Sequence, residues 1–225
     1  ACKSIGIHAR FAEPVNLNHW RRDGDLIRIE RHVVALIPTP PVDDLVADFM
    51  PQLRQRRGTY WVDILGEARV RALFFSNRAV ELLSNGDVNA ALESGKQAAV
   101  SDPTSATAFN IQGVIYRALK EEGLAEASYR KAHSLNPKDG APIGNLEQQM
   151  RDLARFQEAD HFRALSRETR KNDPYFNAFL AEEAFEGGRV LEALDLIRTA
   201  IKLLPYDSEL YLTEAKFRLE QGRPD

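Results

Sequence analysis

Pro103 and Pro137 stand 34 residues apart, and each follows a helical stretch with alanines at matching offsets, Ala91 and Ala98 before the first, Ala125 and Ala132 before the second. The same offsets return as Ala193 and Ala200 before Pro205. A fixed period of this length marks stacked copies of one supersecondary unit, and it restricts the fold more than any local propensity does. Ala79, Gly113, Ala181 and Ala215 hold one equivalent small position in the neighbouring helix. Gly86, Gly188 and Gly222 fall where antiparallel helices must turn. Each unit reads as two helices, with alanine or glycine where backbones approach and bulkier residues such as Phe75, Phe109, Tyr116, Tyr129, Leu180, Ile197 and Tyr211 between them.

That spacing resembles the tetratricopeptide repeat over residues 72 to 225, with units at about 72–105, 106–139, 140–173 and 174–207 and a last helix from Ser208. The expected fold is mainly α, a right-handed α-solenoid of helical hairpins preceded by a small antiparallel β-sheet. The domains divide as 1–65 and 66–225. The third unit fits least well: only Leu146 and Ala159 match, and Pro174 arrives three residues late, which predicts a longer or shifted second helix.

A single hairpin cannot bury its apolar face, so stacking is expected to leave a concave wall lined by the first helix of each unit. Such a wall suits an extended peptide or a partner helix. The residues placed on it are Asn77, Val80, Asn110, Val114, Arg117, Asn145, Gln148, Arg151, Phe179 and Glu182. Amides at Asn77, Asn110 and Asn145 both donate and accept, as a peptide backbone requires. Arg117 and Arg151 have the planar fork that pairs with a carboxylate. The lysines by which the family's carboxylate-binding versions hold a peptide terminus are absent, so terminal-carboxylate recognition is not expected. In the final segment YLTEAKFRLEQGRPD, exposed Leu212 and Phe217 would favour a truncated array or a homodimer contact.

Before Arg71 the pattern changes to short β-branched runs. ARFAEPV, DLIRIE and HVVALI read as strands, RRDG as the turn between the first two, and VADF as a fourth strand. The string GIHARF, the Trp20 loop, RHVVALI and ADFMP together resemble the C-terminal part of a bacterial transglutaminase-like, papain-type cysteine domain. The resemblance implies that His32 is the general base and Asp48 the residue that orients it, 16 positions on. Asp44 competes with Asp48 for that role. In this chemistry an imidazole takes the proton of a thiol and is itself held in one tautomer by an acceptor.

The nucleophile is not expected in this chain. Cys2 lies a few residues before GIHARF, at a helix C-terminal end where the dipole weakens a thiolate, whereas the family places its cysteine several helical turns earlier. The chain is therefore expected to be inactive alone, with catalysis reserved for a longer protein. The opening ACKSIGIHARF starts inside an amphipathic pattern and reads as a fragment or processed chain. A lipoprotein start, with Cys2 lipidated and the protein an envelope adaptor, is the rival expectation.

Charge excludes other partners. Thirty Lys and Arg against 33 Asp and Glu leave a net charge of −3, without the basic excess that phosphate neutralisation requires, so no nucleic acid is expected. No apolar run reaches the length of a membrane span. There is no phosphate-cradling glycine motif and no paired metal-ligand spacing, so no cofactor and no metal are expected. His133, His161, Trp20 and Trp61 read as packing or surface residues, and Arg54 to Arg57 as a solvated turn. The family likeness points to a bacterial protein, with the cell envelope favoured over the cytoplasm.

Overall fold

A computed structural model describes residues 9–14, 19–23, 26–30, 33–39, 45–47 and 62–222. The chain forms two compact units, Ala1–Leu135 and Asn136–Asp225.

The first unit opens with short strands β1 (Arg10–Pro14), β2 (His19–Asp23), β3 (Leu26–Glu30), β4 (Val34–Ile37), β5 (Leu45–Ala47) and β6 (Val62–Leu65). Four of them make an antiparallel sheet in the order β5-β4-β1-β6, while β2 and β3 pair as a separate ribbon. Period-two alternation sets its faces. Ala12, Val34 and Leu36 are buried, with Val46 and Val62 packed against them, whereas Phe11, on the opposite face, is exposed. The three expected strands and the fourth at Leu45–Ala47 are present. The structure holds two further strands, β2 and β6. Arg21–Asp23 lies in β2 and is not a turn between β1 and β3, and the run before the helices contains β6.

The helices keep the period of the sequence. After α1 (Glu67–Ser84) and α2 (Val88–Ser101), the unit adds α3 (Ala106–Ala118) and α4 (Glu122–Leu135). The second unit comprises α5 (Gly140–Asp152), α6 (Phe156–Thr169), α7 (Pro174–Glu186), α8 (Val190–Leu203) and α9 (Ser208–Gln221). From α3 on, first helices begin at Ala106, Gly140, Pro174 and Ser208, each one full period after the last, and the second helices begin at Val88, Glu122, Phe156 and Val190 at the same interval.

Local chemistry fixes these starts. Ser105, Asp139, Asp173 and Asp207, again one period apart, are the N-caps of α3, α5, α7 and α9, and each side chain accepts a hydrogen bond from an amide of the first turn. The third unit is therefore in phase. Its second helix α6 has 14 residues, like α4 and α8, and Pro174 is the first residue of α7, where a missing N–H costs nothing.

The phased alanines pack as the period requires. Ala79, Ala91, Ala98, Ala125, Ala132, Ala181, Ala193 and Ala200 are fully buried, whereas Ala215 on the last helix is exposed. A Cβ on Gly113 would sit 2.4 Å from ring carbons of Tyr129, so the tyrosine lies directly against the α3 backbone. Gly95 is equally small, and there Ile115 from the next repeat closes over it. Phe217 is buried as well, stacked on Phe185 at 4.3 Å. It is not the exposed residue that the sequence suggested, because α9 lies against α8 and meets α7 through this ring pair.

A candidate protein-binding surface on the first helices

Residues at i, i+3 and i+7 share one face of a helix. On that basis each first helix presents a solvent-facing stripe, and equivalent stripe positions recur once per repeat. In the first unit Asn77 and Val80 are exposed on α1, and Ile111 and Val114 take the same places on α3, half-buried. In the second unit Asn145 and Gln148 on α5 are followed by Phe179 and Glu182 on α7 and by Thr213 and Lys216 on α9.

The five residues nominated for peptide binding occupy different environments. Asn77 and Asn145 stand at the same position two periods apart, the first exposed and the second half-buried. Asn110 falls one residue short of that position, aligned with buried Ser76 and Ala178, and is half-buried. Arg117 is half-buried near Tyr129, whose ionisation its charge influences. Arg151 is engaged within the second unit: its guanidinium lies 3.4 Å from Glu147 and 3.7 Å from Asp160. The two catalytic residues implied by the transglutaminase resemblance, His32 and Asp48, lie outside the described residues, as do Asp44 and Cys2.

Sequence reasoning missed the centre of this network. Arg163 on α6 pairs with Glu147 on α5 at 3.7 Å and with both carboxylate oxygens of Glu183 on α7. Glu147 takes the position that Ala79, Gly113 and Ala181 hold in other repeats. The available signal was a pair of opposite charges, Glu147 and Arg163, at positions that elsewhere carry a small residue and its packing partner.

Aromatic residues shape the start of α7. The Tyr175 hydroxyl donates to Asp207 at 2.6 Å, tying α7 to the cap of α9. Arg170 lies over the Phe176 ring at 4.3 Å, and Phe176 stacks with Phe179 at 6.5 Å. Among the described residues no group of His, Cys, Asp or Glu could hold a metal ion, and no helix is long and apolar enough to cross a membrane.

Phased hairpins with buried alanines at close approach and a side-chain cap at the first helices from α3 on define the fold: mainly α, a tetratricopeptide-type solenoid of helical hairpins preceded by a small antiparallel sheet. Among solved structures the chain is similar to the pilF protein of Pseudomonas aeruginosa, at 17% identity and a TM-score of 0.52 over 69% of this chain and 71% of that one. It is also similar to a thermophilic tetratricopeptide-repeat protein of Thermus thermophilus, at 23% identity and a TM-score of 0.50 over 64% of this chain and 80% of that one. No family model and no curated relative matches the sequence.

Proposed function

We propose that this protein is a scaffold that binds a protein or peptide along the solvent-facing stripes of its first helices. The observation that carries the reading is that the stripes of α1, α3, α5 and α7 hold amides at Asn77, Asn145 and Gln148 and large apolar side chains at Val80, Ile111, Val114 and Phe179, of which Asn77, Val80 and Phe179 are open to solvent. An extended peptide needs donors and acceptors for its backbone and apolar ground for its side chains. Asn77 and Asn145 on the stripes, and Asn110 one residue beside the stripe of α3, are the proposed backbone contacts. Arg117 and Arg151 are the proposed contacts for a ligand carboxylate, and Arg151 must then share its guanidinium between Glu147 and the ligand.

Amide-resolved NMR tests the reading. Titration with a peptide selected against the chain from a random library should shift resonances of the first helices of a unit, α1 and α3 or α5, α7 and α9, and leave the outer faces of α2, α4, α6 and α8 unmoved. Shifts confined to the second helices would refute it.

A second reading attaches this scaffold to a transglutaminase-like domain of which the N-terminal strands are part. Its support is the pairing of β4 with β5: β4 begins two residues after His32, β5 ends one residue before Asp48, and the strands are antiparallel neighbours with Ala35 opposite Ala47. In a longer polypeptide carrying the nucleophilic cysteine, His32→Ala should slow iodoacetamide labelling of that thiol. An unchanged rate would remove the triad.

A further inference from the structure

The stripes of the two units differ in charge. In the first unit the stripe positions are uncharged, with Val80 on α1 and Val114 on α3 at the centre. In the second, the stripes of α5, α7 and α9 end in Asp152, Glu186 and Glu220, three carboxylates in the same register, and Glu182 adds a fourth against the single cation Lys216. The whole segment from Asn136 to Asp225 holds thirteen Lys and Arg against seventeen Asp and Glu.

Within this acidic frame stands one large apolar side chain. Phe179 is 57% exposed, yet its ring is not loose on the surface: it stacks on Phe176, which is buried and lies under the Arg170 guanidinium. Glu182 and Glu186 follow it by three and seven residues and so share its face of α7. A scattered exposed phenylalanine says little by itself. A braced one beside carboxylates of its own helix face offers apolar contact together with a defined charge preference.

We infer that the second unit recognises a peptide carrying a large apolar side chain flanked by lysine or arginine. The inference rests on the scaffold reading above and adds the chemistry of the ligand. The apolar side chain covers Phe179, and the flanking cations meet Glu182 and Glu186. Because those carboxylates are exposed, their share of the binding is screened by salt while the contact with Phe179 is not.

Fluorescence anisotropy on the full chain tests this with three labelled synthetic peptides: lysine-rich with a central leucine, lysine-rich with a central serine, and glutamate-rich with a central leucine. The first should bind tightest. The serine peptide should bind about tenfold more weakly, the worth of partly burying one large apolar side chain, and the glutamate peptide should not saturate. Phe179→Ser should bring the first peptide down to the level of the second with helical content unchanged, and E182K/E186K should reverse the charge preference. Equal binding of the lysine and glutamate peptides, or an unaltered affinity in Phe179→Ser, overturns the inference. A library-selected ligand of other chemistry that still maps to the first helices would overturn it while leaving the scaffold reading intact, whereas failure of every peptide, selected ones included, would end both.

Discussion

Glu147 and Arg163 face each other at 3.7 Å across the α5–α6 hairpin, at the positions that Gly113 and Tyr129 hold one repeat earlier and Ala181 and Ile197 one repeat later. A third position completes the set. Glu183, which pairs with Arg163, corresponds to Phe217, which clusters with Ala181 and Ile197. One repeat thus joins its neighbour through an alanine, an isoleucine and a phenylalanine, and the repeat before it uses glutamate, arginine and glutamate. The substitution is complementary at all three places, so the period survives the change of chemistry.

This exchange predicts a strongly non-additive mutant series. Glu147, Arg163 and Glu183 are all partly shielded from water, with side-chain exposures of 17, 24 and 37%. Arg163→Ile alone leaves Glu183 without its cation and Glu147 with Arg151 only, and should cost about 1 to 2 kcal/mol, below the full penalty of breaking a buried pair because solvent still reaches the site. The triple change Glu147→Ala, Arg163→Ile and Glu183→Phe reproduces the apolar set and should match or exceed the parent in stability. Thermal melts with hydrogen exchange on α5 to α7 decide this; a triple variant no more stable than Arg163→Ile would show the correspondence to be wrong.

The hairpin turns yield a second prediction. Gly86, Lys120, Ala154 and Gly188 recur once per repeat, and all four have positive φ, at 83°, 61°, 56° and 74°. Each turn closes with the same bond across the helix end, from the amides of Asp87, Glu121, Arg155 and Arg189 to the carbonyls of Leu82, Tyr116, Met150 and Ala184. Lysine and alanine carry a steric cost in this region that glycine does not. Ala154→Gly should therefore stabilise the chain by about 0.5 to 1 kcal/mol, and Gly188→Ala should destabilise it by a similar amount. Denaturation midpoints moving in the same direction for both changes would contradict the account.

How much of this was legible in the sequence follows from the kind of contact involved. Buried alanines could be read because close backbone approach admits few residue types, so Ala91, Ala125 and Ala193 repeat almost unchanged. Glu147 and Arg163 could not, because a charged residue on a helix reads as solvated until its partner is seen in space. The logic of a terminal helix puts Phe217 in solvent, yet the ring stack with Phe185 buries it. The strand β2 was hidden by its composition, since Arg21, Arg22 and Asp23 look like turn residues. Asn110 matches the other two asparagines by type but misses their register by one residue, and on a helix one residue is a rotation of about 100°.

The turn into α7 yields a third prediction. The period calls for proline at position 171, where the chain has Lys171. The residue before it, Arg170, has φ −105° and ψ 13°, a conformation that a following proline disfavours, whereas Asp102 and Leu204, which precede Pro103 and Pro205, are extended or near it. Arg170 is held there by Asp173 at 2.8 Å and by its seat over Phe176. The turn is tied instead by Asn177, whose amide donates to the carbonyls of Lys171 at 2.9 Å and Asp173 at 2.8 Å. Lys171→Pro should lower the melting temperature although it restores the repeat pattern. Asn177→Ala should cost about 1 to 2 kcal/mol by taking the side-chain donor from the Lys171 carbonyl, while the Asp173 carbonyl keeps the backbone amide of residue 177. A stabilising Lys171→Pro would show that Arg170 does not dictate the turn.

Alkaline unfolding of the first unit supplies the last prediction. Burial pushes the Tyr129 hydroxyl up from its ordinary 10.0 to about 12, with the charge of Arg117 opposing the shift and that of Glu122 adding to it. The group is an acid whose folded-state value is raised, so the unfolded chain releases this proton first. The stability associated with the neutral ring is whole below pH 10 and declines as pH rises from about 10 through about 12. Tyr129→Phe, which cannot ionise, should lose less stability across that window than the parent does. Gly113→Ala gives the steric control: its methyl would meet the same ring at 2.4 Å and should cost about 1 to 3 kcal/mol at neutral pH by forcing the tyrosine aside. If urea midpoints of the parent and Tyr129→Phe fall in parallel between about pH 9.5 and about pH 12, with pH steps chosen at about half a unit, the buried hydroxyl is not what alkali attacks.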